Sequence, residues 1–412
     1  MDLLSYPSLV EAPFIIVKIG DFTFGQYERN GTYASGELNV TFPNFMQSLN
    51  VTKINGQVNV YTIKMVYGIR EGDDPNLLEK VFSTVSKSRK IYISYGDWAS
   101  PSDIFREEEA IITKISSSVD FSSSRITYTI NCTSTSKLLM AGSYNFPARS
   151  SKKASDEIID MYKNNAYGMQ DVFTGMSNMS EDELRRLIRS DDKAIKIEGQ
   201  QKTTVFNRLN YLVNSMTPID AQDDSPLKGA RYFLTVVDDI LAASSKGPMF
   251  KVTKVDANIP TDNSLSTFEV DIGYPGSNFV TSFNISNDET YSILYDFSGK
   301  IDQSKYVYRI DNSGKIVDTV SPNITTSGYL QYSREIDKSW WTNMTQFPIS
   351  ATMTIKGLLR PAILMDYVKV NSWFYGSKHI SSGLYIITKQ DDTIDGNGYR
   401  TVLNLLRVGE DV

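Results

Sequence analysis

Apolar and polar residues alternate over much of the first third of this chain. Asn59, Tyr61, Ile63, Met65 and Tyr67 share one face of an extended segment, and Val58, Val60, Thr62, Lys64 and Val66 share the other. A period of two predicts a β-strand. Neither face is cleanly polar, so this strand is expected to be covered on both sides. Asn55-Gly56 separates it from the segment 47–54, and Asn-Gly predicts a tight hairpin because both turn positions need φ > 0. Residues 14–19 and 23–27 flank Gly20-Asp21 in the same manner. Asp74-Pro75 then supplies an N-cap and a first-turn proline. Leu77, Leu78, Val81, Phe82 and Val85 follow at helical spacing, the stripe of a core-facing helix. Residues 91–95 return to strand, and a hairpin over 111–130 closes the region.

Between about 142 and 217 the period becomes helical. Ser155 is the expected cap of a helix carrying Ile158, Ile159 and Tyr162. Ser180-Glu181-Asp182-Glu183 has the spacing of a capping box. Thr203 or Thr204 opens a third helix with Phe206, Leu209, Leu212, Val213 and Met216 on one side, stopped by Pro218. Residues 168–178 have little to hold them and are expected to be mobile. Residues 231–241 favour a buried strand, with a helix as the alternative. Short strands fill 250–317, with turns at 260–263, 274–276 and 312–314. Residues 321–327 resemble a linker, Trp340-Trp341 follows, and a β segment over 347–408 ends the chain.

Two distant hairpins are alike. Ile111-Ile112-Thr113-Lys114, Val119-Asp120 and Arg125 recur as Ile386-Ile387-Thr388-Lys389, Ile394-Asp395 and Arg400, without a gap at an offset of 275 (386 − 111). Weaker anchors precede each copy in the same order: Tyr95-Gly96 with Tyr375-Gly376, and Thr62-Ile63-Lys64 with Thr354-Ile355-Lys356. A β unit used twice predicts a ring, because a closed assembly of such chains presents twice as many similar units as it has copies.

Composition narrows the classes. A chain of 412 residues exceeds one ordinary core, so two to four domains are expected, and 24 Tyr and 19 Phe favour strands. The net charge of −6 comes without a Lys/Arg run, which argues against sequence-specific nucleic-acid binding. The start of the chain lacks a basic, apolar leader, and no stretch is long enough for a membrane span. The single cysteine, Cys132, is expected to be a buried structural thiol. Asn-x-Ser/Thr triplets at Asn30, Asn39, Asn50, Asn131, Asn178, Asn284, Asn323 and Asn343 are expected by chance in so Asn/Ser/Thr-rich a chain.

The search for chemistry finds little. With one histidine, His379, a Ser–His or Cys–His pair is not expected, and a multi-histidine zinc site is impossible. Five Asp-Asp pairs (Asp73-Asp74, Asp191-Asp192, Asp223-Asp224, Asp238-Asp239, Asp391-Asp392) read as solvated turns and caps rather than a hydrolase pair, since neighbours on a strand point to opposite faces. Residues 391–398 lack the ligand pattern of a calcium loop, and no phosphate-cradling glycine motif occurs. No catalytic, cofactor-binding or metal-binding residue is assigned, no cofactor is expected, and the chain is not expected to be an enzyme. The competing class is a carbohydrate- or receptor-binding β protein, with Trp340, Trp341 and Trp373 as stacking surfaces.

The C-terminal run Gly383-Leu384-Tyr385-Ile386-Ile387-Thr388-Lys389, followed by Asp395-Gly396-Asn397-Gly398 and a strand through Leu405, resembles the closing hairpin of phage tail hub proteins. Residues 347–358, the Leu359-Arg360-Pro361 turn and Tyr367-Val368-Lys369-Val370 are similar to the body of that module. Residues 203–216 and 278–283 resemble its middle elements. The resemblance implies an α+β, mainly β, fold with two tail-tube-like β-barrel domains and a helical/β middle region. The corresponding expected ranges are 1–140 for the first barrel with its one helix, 141–220 for a helical insertion, 221–340 for a β-rich middle partly shared with the second barrel, and 341–412 for that barrel. It further implies a homotrimer in the virion, made in the host cytoplasm, that joins a sixfold tail tube protein above to a threefold spike or cell-puncturing protein below. Tape-measure protein in the lumen and surrounding baseplate wedge proteins are further implied partners, and the lumen of this DNA-ejection channel is expected to be polar or acidic. Some members carry a fused lysozyme or spike, which this chain is expected to lack.

Overall fold

The computed structural model describes residues 13–20, 22–25, 40–42, 46–85, 90–97, 106–163, 179–216, 230–238, 249–256, 268–273, 280–287, 307–310, 316–319, 349–356, 364–379 and 381–410. The first elements are β1 (Pro13–Ile19), β2 (Phe22–Phe24), β3 (Val40–Phe42), β4 (Met46–Ile54), β5 (Val60–Gly68), α1 (Leu77–Val85), β6 (Lys90–Asp97), β7 (Arg106–Asp120) and β8 (Arg125–Ser134). A single 3-10 turn leads to β9 (Tyr144–Phe146), β10 (Arg149–Lys153), α2 (Ala154–Lys163), α3 (Glu181–Ile188), β11 (Ala194–Ile197), β12 (Gln200–Thr203), α4 (Val205–Ser215), β13 (Ala230–Val237) and β14 (Met249–Asp256). The last third holds β15 (Phe268–Ile272), β16 (Val280–Asn287), β17 (Val307–Ile310), β18 (Ile316–Thr319), β19 (Ile349–Lys356), β20 (Tyr367–Phe374), β21 (Ser377–Lys378), β22 (Gly383–Asp395) and β23 (Gly398–Glu410).

The chain is mostly β, and one sheet runs through both ends of it in the order β16-β19-β23-β22-β4-β5-β8-β7-β6-β1-β2-β3. Among the described residues no pairing closes this sheet into the expected barrels. Within it the same topology occurs twice. β4, β5, β6, β7 and β8 lie in the order β4-β5-β8-β7-β6; β16, β19, β20, β22 and β23 lie in the order β16-β19-β23-β22-β20. Every one of these pairings is antiparallel. The two units diverge beyond this five-strand set, where β1 joins β6 antiparallel and β15 joins β20 parallel.

Irregularities recur as well. β7 shifts register between Ile112 and Lys114, β22 between Ile387 and Lys389. β4 shifts between Met46 and Ser48, β16 between Val280 and Ser282. A bulge bends its strand and fixes register at one point, so two matched bulges align the units residue by residue. That alignment revises the sequence anchors. The offset of 275 holds along β7 and β22, but the turn after β22 is two residues shorter, and Ile126 therefore corresponds to Tyr399. Thr62-Ile63-Lys64 lies on the strand equivalent to Thr354-Ile355-Lys356 yet two residues out of step, since Thr62 faces Asn131 where Thr352 faces Asn404. The Tyr-Gly anchor fails: Tyr95 is buried in β6, whereas Tyr375 is fully exposed at a turn with φ 49°.

Three cores support the fold. One lies inside the first unit, around Leu49, Tyr61, Ile63, Met65, Ile91, Tyr128 and the α1 residues Leu78, Val81 and Phe82. β5 buries only the Tyr61 face, with Val60 and Lys64 exposed, so the expected cover on both sides is absent. Asn55-Gly56 opens a five-residue connection rather than a two-residue turn: only Gly56 has positive φ, and its N–H donates to Leu234 of β13. A second core joins α2, α3 and α4 to β13 and β14, which form a two-stranded sheet, so the ambiguous stretch is strand over 231–237, and 239–241 lie outside the described residues. A third lies between β15, β19, β20, β22 and β23. The strands added to the second unit come from 268–287, beyond the β13–β14 hairpin.

The caps are partly as expected. Ser180 and Glu183 form both halves of the capping box, and Thr204 caps α4. Ser155 does not cap α2. The helix starts at Ala154, and Asp192 accepts from the Ser155 N–H (3.2 Å) and hydroxyl (2.5 Å), so a carboxylate distant in sequence satisfies the first turn. The segment 168–178, the turns at 260–263, 274–276 and 312–314, the linker at 321–327, and Trp340-Trp341 lie outside the described residues.

Candidate assembly surface

The long strands β7 and β22 each serve two neighbours in turn. β7 pairs with β6 over Arg106–Ile111 and β22 with β20 over Gly383–Ile386. Each then bulges at a threonine whose hydroxyl donates to a carbonyl of the following strand: Thr113 to Asn131 at 2.9 Å, Thr388 to Asn404 at 3.1 Å. The bulge turns the strand away from its first neighbour and frees its outer edge. Past Thr388, the edge of β22 is taken by β4, with Lys389 to Ile394 opposite Ile54 to Leu49. Past Thr113, the edge of β7 pairs with no strand among the described residues.

Exposure records this difference. At the β22·β4 seam, Leu49, Val51, Gln390, Asp392 and Ile394 are all buried. At the positions of β7 equivalent to Asp392 and Ile394, Ser117 is exposed and Val119 is 49% exposed. The seam is also stitched by polar groups. Thr52 donates to Asp391 across it at 2.7 Å. Asp392 accepts from Gln390 (2.7 Å), Thr401 (2.6 Å) and Tyr399 (3.3 Å), and Tyr399 meets Tyr95 edge-on.

Behind the seam lies a buried charge cluster. Lys53 of β4 forms an ion pair with Glu108 of β7, which also accepts from Tyr95 at 3.1 Å. Asp238, just past β13, accepts from Ser134 (2.5 Å), Asn59 (2.9 Å) and Tyr61 (2.9 Å). Burial first, then the charge of Glu108, pushes the Asp238 carboxyl up to about 6, against the hydrogen bonds that favour its charged form. Because its folded pKa is raised, the folded state holds a proton that the unfolded chain has released. The stability from this group is therefore present below the ordinary carboxylate pKa and lost as pH rises through about 6. At pH 7 the loss is about 3 kcal/mol. In urea titrations between pH 5 and 7.5, Asp238→Asn is expected to flatten the decline of stability with pH; equal slopes in the two proteins would contradict the assignment.

The residues singled out in the sequence are scattered. Asp74 accepts from the Asn76 N–H ahead of α1, as a cap does. Asp192, Asp238 and Asp392, however, are buried in hydrogen-bonded sites, contrary to the solvated role expected of the pairs. His379 lies exposed in a turn, with Nδ1 2.8 Å from Ser381 Oγ and its ring against Phe374. Trp373 is half-buried, with Lys378 over its ring. Cys132 is buried, and burial pushes its thiol up to about 12. Among the described residues no cluster of three His, Cys, Asp or Glu could hold a metal ion, and no helix is long and apolar enough to cross a membrane.

One feature of this surface escaped the sequence reading. Ser48-Leu49-Asn50-Val51-Thr52 of β4 and Ser282-Phe283-Asn284-Ile285-Ser286 of β16 are the same motif in equivalent strands. Both contain an Asn-x-Ser/Thr triplet, of a kind that recurs throughout the chain.

No protein-family model matches the chain, and no curated protein matches it in sequence. Solved structures do. The 43 kDa tail protein of prophage MuSo2 from Shewanella oneidensis superposes with a TM-score of 0.50 at 11% identity, over 96% of this chain and 98% of that one. A tail protein from Neisseria meningitidis MC58 gives 0.48 at 10% identity, over 96% and 97%. A component of the E. coli type VI secretion system gives 0.45 at 8% identity, over 88% and 73%. The likeness to the MuSo2 protein is one of fold: this chain has the fold of a phage tail protein.

Proposed function

We propose that this chain is a structural hub of a phage tail or a related injection device. Three copies close into a ring, each contributing two tube-like β units that curl into barrels once their edges are covered. Six similar units then face a sixfold tail tube protein, while the threefold symmetry of the chains themselves suits a spike or cell-puncturing protein on the other side. The lumen is the path for ejected DNA and the place for a tape-measure protein, and baseplate wedge proteins surround the ring. The role is mechanical rather than enzymatic, and its site is the virion tail. Domain limits near 140, 220 and 340 fit this reading, with β15 and β16 serving the second unit.

The observation that carries the proposal is the five-strand order occurring twice, joined edge to edge at β22·β4, in a fold like that of a phage tail protein. Light scattering on the purified protein tests it. The expected mass is three times that of the chain, and a monomer at every concentration would contradict it.

A further inference from the structure

Among the described residues, one of two equivalent seams is filled and the other is not. β22 past its bulge is covered by β4 of the same chain. β7 past its bulge is the equivalent edge, and β16, the equivalent of β4, ends the sheet with its outer edge unpaired among the described residues. We infer that these two edges are halves of one interface, and that β16 of a neighbouring copy of this chain pairs antiparallel with residues 115–119 of β7. This rests on the hub reading for closure into a ring; the strand pairing follows from the internal duplication.

The register is read from the occupied seam. Asp392 lies opposite Val51 and Ile394 opposite Leu49. Carried through the two matched bulges, Ser117 lies opposite Ile285 of the neighbouring copy and Val119 opposite its Phe283. Ser116 meets Ser286 where Thr52 donates to Asp391 within the chain. Val119 and Ile285 are 49% and 42% exposed in the single chain, and both lie on the face that the occupied seam buries.

The composition of the edges agrees. Ile115-Ser116-Ser117-Ser118-Val119 and Phe283-Asn284-Ile285-Ser286-Asn287 contain no charge and no proline. Edge strands left open to solvent are ordinarily protected by lysine, proline or inward charge, because a bare edge recruits other strands. Two unprotected edges with matching side chains, one on β16 at the end of the sheet and one on β7 past its pairing with β6, fit head-to-tail addition of a strand. Such a heterologous contact closes into a ring when the rotation per copy permits. Around that ring the intrachain seam β22·β4 and the interchain seam β7·β16 alternate.

The test is the full-length chain carrying Ser117→Cys and Ile285→Cys, oxidised and run on a non-reducing gel beside a mass measurement in solution. The buried Cys132 leaves the background clean. The expected result is a reducible covalent ladder ending at the ring. The Ser116→Cys/Ile285→Cys control, with one Cβ on the opposite face, is expected to cross-link at least about tenfold less, because a disulfide needs facing Cβ atoms. Ser117→Pro, checked for folding by circular dichroism, is expected to release monomers by removing a ladder donor. A ring of the right mass that fails to cross-link in the double variant, or that survives Ser117→Pro, overturns this interface and leaves the hub reading standing. A parent protein that stays monomeric overturns both.

Discussion

Lys53→Met is expected to destabilise the chain by about 3–5 kcal/mol, the cost of leaving a buried carboxylate without its partner. Glu108 is fully buried, and Asp238, a second buried carboxylate, raises the stakes by lying close enough for each charge to disfavour the other. Lys53 forms an ion pair with Glu108, so its removal takes a cation from that carboxylate while the adverse charge of Asp238 stays. Removing both ends of the pair, in Lys53→Met with Glu108→Leu, is expected to recover much of the loss, since the uncompensated charge is then gone. Equilibrium urea unfolding of the two variants measures this. A loss below about 1 kcal/mol for Lys53→Met would show that Glu108 is neutralised by other means.

Ile394→Ala and Val119→Ala, at equivalent points of the two units, are expected to part company. Ile394 reaches from β22 into the core of the first unit and is 3% exposed, so its truncation is expected to cost about 2–5 kcal/mol in the unfolding of the single chain. Val119 is half in solvent. Its truncation is expected to change single-chain stability by no more than about 0.5 kcal/mol, while weakening assembly. Urea unfolding combined with mass measurement over a dilution series separates the two effects. Equal destabilisation of the single chain by both variants would mean that the β7 edge is already covered within it.

The duplicated hairpin was legible because a bulge has a local signature. Ile-Ile-Thr-Lys places a threonine where its hydroxyl can bond the next strand, and both copies use it so. The two-residue difference in the following turns was not legible, because a shift of two returns every side chain to the same face. Tyr-Gly misled for the opposite reason: a dipeptide carries no record of whether it sits in a strand, as Tyr95 does, or at a turn, as Tyr375 does. The β-strand and helix content followed from periodicity, and the Ser180 and Thr204 caps from local chemistry. The burial of Asp238 and Asp192 did not. Their partners, Asn59, Tyr61 and Ser134 for one and Ser155 for the other, are brought near only by the folded chain. The assembly surface itself was half visible. The β7–β22 likeness is an ungapped match, whereas the β4–β16 likeness, which sets the register of the seam, lies in short polar-apolar runs common in so Asn/Ser/Thr-rich a chain.

Electron microscopy of the purified ring viewed down its axis tests the central claim most directly. Six lobes of similar density at near-equal spacing, generated by three chains, are the expected image. A ring with three lobes only, or chains that meet through the helical middle region while the sheet edges face solvent, would contradict the account.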